Sequence, residues 1–120
     1  MSTNHTKLYD AFGELLYVLV KADGEFQDAE RDTLQQILSY HPWAKEILWS
    51  FNYEEKKNHD IEDLYKKVIL ACIDIGPNAE YQSMIEVLEA VAESSLGIVK
   101  EEQKIIDNFK QDLLHDFGNR

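Results

Sequence analysis

The chain has 120 residues, 44% of them hydrophobic, and a formal net charge of -11, a composition that suits one folded domain with a core rather than a disordered segment. No Lys/Arg cluster longer than a pair interrupts the acidity, which argues against nucleic acid and anionic membranes and favours cationic partners or metal ions. The Met-Ser-Thr-Asn-His start has no apolar signal core, and no apolar run approaches about 20 residues, so the expected location is cytoplasmic with no membrane span.

In chain order, Leu8, Phe12, Leu15, Leu16 and Leu19 form a first helical stripe, and Leu34, Ile37 and Leu38 a second. Between them lies an acidic turn from Ala22 through Asp23, Gly24, Glu25, Phe26, Gln27 and Asp28 to Glu30. After the Tyr40-His41-Pro42 corner a short helix is expected from Pro42, because proline is tolerated in a first turn. The polar stretch from Tyr53 to Asp60 reads as a break, with Glu54, Glu55, Lys56 and Lys57 as a solvated connection. A third stripe, Ile61, Leu64, Tyr65, Val68, Ile69 and Cys72, runs to the Gly76-Pro77-Asn78 stop. Two more follow, Tyr81 to Ala92 and Ile105 to Leu113, joined by a turn around Gly97. Strand alternation is absent, so the class is all-α, with short connections and neighbouring helices near antiparallel. The ends, 1–6 and 117–120, are expected to fray. The single cysteine, Cys72, lies inside an apolar run and reads as a buried, inert thiol.

The acidic turn is ordered like the second half of an EF-hand loop, with Asp23, Gly24, Phe26 and Glu30 at matching spacings. The two earlier ligand positions hold Leu19 and Lys21, so Asp23, Glu25, Asp28 and Glu30 alone would leave water to complete the shell of a weakly bound calcium or magnesium ion. Capping explains the same residues without metal, since first-turn carboxylates interact favourably with the helix dipole and Glu30 can satisfy a free amide. The frame recurs downstream. Setting Glu30 against Glu102, an offset of 102 − 30 = 72, pairs Leu16 with Leu88, Leu19 with Val91, Leu34 with Ile106 and Ile37 with Phe109. In the second turn Ser95 and Leu96 replace Asp23 and Gly24, so packing is kept and ligand chemistry lost.

A helix ending in Ala-Asp-Gly-Glu, then an apolar residue, two spacers and a Glu opening the next helix, echoed in degraded form, resembles the TerB-like domain family. That family includes a tellurite-resistance protein and the N-terminal domain of DjlA-type co-chaperones. The resemblance runs from about Tyr9 to about Asp112. It implies a compact bundle of about six to seven helices built from two related helical hairpins, and a candidate divalent-cation site at Asp23, Glu25 and Glu30.

Among the aromatics from Tyr40 to Tyr53, Trp43, Ile47 and Phe51 share a stripe and are expected in the core. Trp49 lies well round the helical wheel from Ile47 and is expected to be partly exposed, so Trp49 and Tyr53 are the candidate partner surface. The histidines His5, His41, His59 and His115 form no paired zinc arrangement. No phosphate loop, nucleophile elbow or Cys/His pair is present, and an enzyme is not expected. The sequence therefore points to a module that binds other proteins, with the acidic turn and its flanking surface as the expected main contact area, monomeric or weakly dimeric, in a stress or tellurite-resistance response. A divalent-metal sensor or buffer using the turn at 23–30 is the alternative.

Overall fold

The computed structural model describes residues 3–22, 28–41, 43–57, 59–76, 80–94 and 100–117. These form six helices: α1 (Thr3–Lys21), α2 (Asp28–Leu38), α3 (Ala44–Lys57), α4 (Ile61–Ile75), α5 (Glu80–Ser94) and α6 (Lys100–Phe117). Among the described residues there is no strand, and the helices pack as an all-α bundle.

The first helix is the axis. Leu8, Phe12, Leu15, Leu16, Leu19 and also Val18 and Val20 are fully buried, because α3, α4, α5 and α6 all pack against α1. From Leu15 to Val20 the helix is apolar on every side, a pattern satisfied by such enclosure. The other helices are amphipathic and turn one face inward: Leu34 and Leu38 from α2, Ile47 and Phe51 from α3, Leu64, Val68 and Cys72 from α4, Met84, Leu88 and Val91 from α5, Ile106 and Phe109 from α6. Burial pushes the Cys72 thiol up to about 11, so it is protonated and inert.

The internal echo has a spatial counterpart. The helix pair α1 and α2 and the pair α5 and α6 cross over, α2 packing on α5 and α6 on α1. The matched residues Leu16 and Leu88, Leu19 and Val91, Leu34 and Ile106 are all core.

Sequence expectation and structure differ around α3. This helix is 14 residues long and continues through Tyr53 to Lys57, where the sequence reads as a polar break. Glu54 is 1% exposed, not part of a solvated connection, and one carboxylate oxygen lies 2.7 Å from Nδ1 of His59. Its polarity is met by that partner, an exposed histidine beyond the end of the helix, which hydropathy alone cannot reveal. Trp43 precedes the helix and is half-buried, stacked on Tyr9 with ring centroids 5.2 Å apart.

Local chemistry fixes the ends of α4. The Asp60 side chain accepts the Asp63 N–H at 3.2 Å, an N-cap. Gly76 then ends the helix with φ of 88°, a conformation in which a side chain would be strained. The buried Tyr81 hydroxyl ties the stop to α5 by donating to the carbonyl oxygens of Gly76 at 2.8 Å and Cys72 at 3.1 Å. At the opposite edge, the Tyr65 hydroxyl donates to Asp112 at 2.6 Å and joins α4 to α6.

Candidate interaction surface

The position of α3 depends on a glycine in α1. A Cβ on Gly13 would lie 2.4 Å from the Ile47 carbonyl oxygen and 2.7 Å from the Ser50 Cβ, so the two backbones meet at a distance only glycine permits. The Ser50 hydroxyl closes the seam by donating to the Asp10 carbonyl at 2.7 Å. Ile47, Ser50, Phe51 and Glu54 are thereby fixed inward.

Everything on the far side of α3 is consequently turned out. At about 100° per residue, Lys45, Trp49, Asn52 and Lys56 fall within about 60° of one another, with Tyr53 and Lys57 along one margin. All six are exposed. Trp49 is 62% and Tyr53 42% exposed, and their rings stack on each other at 5.7 Å and 16°. The Lys57 ammonium sits 5.6 Å from the Tyr53 ring centroid. A shallow depression of about 200 Å³ is lined by Trp49, Asn52, Tyr53 and Lys56, and Trp49 also walls a second one with Thr6, Asp10, Lys45 and Glu46. The exposure of Trp49 agrees with its position on the helical wheel.

Of the three α3 carboxylates, two are engaged by other elements and Glu46 borders the Lys45 and Trp49 depression. Glu54 is buried against His59, and Glu55 accepts from Arg31 of α2 at 2.7 Å. Glu46 is half-buried on the α1 side, where its charge adds to that of Asp10. Asp10 is held above its ordinary value by burial first and by Glu46 second, with Lys67 opposing. Glu14, buried one turn on, is raised by burial despite the Lys67 ammonium donating to it at 2.7 Å.

The acidic turn divides between two environments. Asp28 is exposed, whereas Glu30 is 0% exposed, and the two lie about 160° apart around α2. Glu102, its partner in the echo, is buried to the same degree at the start of α6. Burial at both repeats fits a packing role for this position. Asp23, Gly24, Glu25, Phe26, Ser95 and Leu96 lie outside the described residues. Among those described, no group of three or more His, Cys, Asp or Glu side chains is arranged to hold a metal ion.

One feature has no signature in the sequence. A groove of about 390 Å³ between the C-terminal end of α1, α4 and α6 has Val18, Ile61 and Ile105 among its lining, with Lys66, Lys104, Glu62 and Glu101 beside them. Its walls come from three separate stripes, each of which looks complete by itself. Leu70 and Ile73 on α4 are further exposed apolar side chains. No helix of the described residues is long and apolar enough to cross a membrane. No protein-family model, curated protein or solved structure matches the chain.

Proposed function

We propose that this chain is a TerB-like, cytoplasmic helical module that works by binding another protein through the outer face of α3, in a stress or tellurite-resistance response. The observation that carries the reading is the stacked, exposed Trp49 and Tyr53 pair. Large aromatics are enriched at the centres of binding sites. Stacking holds two of them in a defined orientation before any partner arrives, which lowers the entropic cost of association. The rigid seam at Gly13 supports the same reading, because it fixes the helix on which the pair stands. The crossed helical pairs with buried Glu30 and Glu102 support the family resemblance.

The test is affinity capture from native extract with wild type, Trp49→Ala/Tyr53→Ala and Asp23→Asn/Glu25→Gln. The expected result is a recovered partner that the aromatic double variant loses and the acidic-turn variant keeps. Equal recovery by wild type and the aromatic variant would remove α3 from the account.

A further inference from the structure

The chain is acidic as a whole, but the outer face of α3 is not. Lys45, Lys56 and Lys57 surround Trp49 and Tyr53, and among the described residues none of the three lysines has a carboxylate within 4.0 Å. The lysines that do pair lie elsewhere: Lys7 with Asp74, Lys67 with Glu14 and Lys110 with Glu89. On α3 the segregation is partial: Glu54 is taken by His59 and Glu55 by Arg31, while Glu46, half-buried, shares a depression with Asp10, Lys45 and Trp49 and leaves Lys56 and Lys57 as the lysines clear of it.

At physiological salt, charges act over about 8 Å, so a docking segment senses the nearest side chains more strongly than the distant net charge. The three ammonium groups and the two aromatic rings therefore define what this face attracts. We infer that the α3 face docks a short acidic segment of a partner protein, its carboxylates meeting Lys45, Lys56 and Lys57 and an apolar side chain lying on Trp49. The inference rests on the binding role proposed for this face and names the chemistry of its partner.

Size narrows the class of anion. Lys45 and Lys56 are eleven residues apart on α3, roughly 16 Å at 1.5 Å per residue, a span that about five extended residues cover. A short peptide can end within that length. Nucleic acid or an anionic bilayer would continue past it onto the rest of a chain with a net charge of -11, where it is repelled. Complementary lysines and a fixed aromatic platform give such a peptide both an orientation and an anchor.

The experiment follows the backbone amides of α3 and the two tryptophan indole N–H signals of the isotope-labelled chain. Four probes are titrated: a nine-residue peptide of repeated Glu-Leu-Asp, its Gln-Leu-Asn counterpart, a Lys-Leu-Arg peptide and a ten-nucleotide oligo-dT. The expected result is a saturable shift of Trp49, Asn52, Tyr53 and Lys56 with the acidic peptide alone. Affinity should fall roughly tenfold or more in Lys45→Glu/Lys56→Glu, and fall as salt is raised. Both lysines are exposed, so the variant is expected to keep the wild-type amide spectrum away from α3. Stronger binding of the basic peptide or of oligo-dT, equal binding of the amide counterpart, or no saturable shift of α3 below a few millimolar would each overturn the inference. Any of these with partner capture still lost in Trp49→Ala/Tyr53→Ala would leave the binding role standing and refute only the acidic partner.

Discussion

The helices α1 and α5 occupy equivalent places in the internal echo yet meet different surroundings. Each ends one stripe of an equivalent helical pair, and Leu16, Leu19, Leu88 and Val91 are equally buried. But α1 is enclosed by four helices, while α5 keeps an exposed side. At the offset of 72, Gly13 corresponds to Ile85, Glu14 to Glu86 and Asp10 to Gln82. Glu14 is buried against Lys67, whereas Glu86 is exposed and accepts from Gln82 at 3.5 Å. The lesson is that the echo specifies a packing frame, and the positions that break it bring in α3 and with it the candidate surface.

Installing the α5 residue in α1 should break the comparison most severely. Gly13→Ile would force α3 away, and Gly13→Ala alone is expected to destabilise by about 3 kcal/mol, at the upper end for overpacking, because its Cβ meets backbone as well as side chain. Ile85→Val should cost only about 1 kcal/mol. Chemical denaturation of the three variants checks the order. Equal losses for Gly13→Ala and Ile85→Val would mean that the seam adapts.

The carboxylates sharpen the contrast through pH. Asp10 and Glu14 have pKa values raised in the fold, so the native state binds their protons more tightly than the unfolded chain does. Stability from these two groups is therefore greatest when both are protonated, and it falls as pH rises through the range between unfolded and folded values. The melting temperature should rise on acidification from neutrality into the upper carboxylate range. Asp10→Asn and Glu14→Gln should each flatten that slope.

The smallest stability effect is expected at the surface itself. Trp49→Ala removes an exposed ring from the far side of the seam and should alter unfolding free energy by no more than about 0.5 kcal/mol. A loss above about 2 kcal/mol would show that the stacked pair is structural.

Much of this was legible in the residues. The helical class and the stripes follow from 3.6-residue periodicity. The echo could be read because apolar register is what two equivalent packing frames must share. The exposure of Trp49 followed from its angle to Ile47. The length of α3 was hidden because Glu54 looks solvated unless His59 is known to meet it. Gly13 gave no cue, since a lone glycine in a helical stripe does not announce which backbone approaches it. The lysine face was obscured by the net charge, which sums over surfaces that a partner never touches together. Asp23 and Glu25 lie outside the described residues, and Glu30 is inside the fold.

The central claim is that α3, rather than another exposed apolar site, meets the partner. A photo-crosslinking residue placed at Trp49 tests it directly against the same residue at Leu70 on α4, which is also exposed. Irradiation in native extract is expected to give a discrete covalent adduct from position 49 and none from position 70. An adduct from position 70 with none from position 49 would contradict the account.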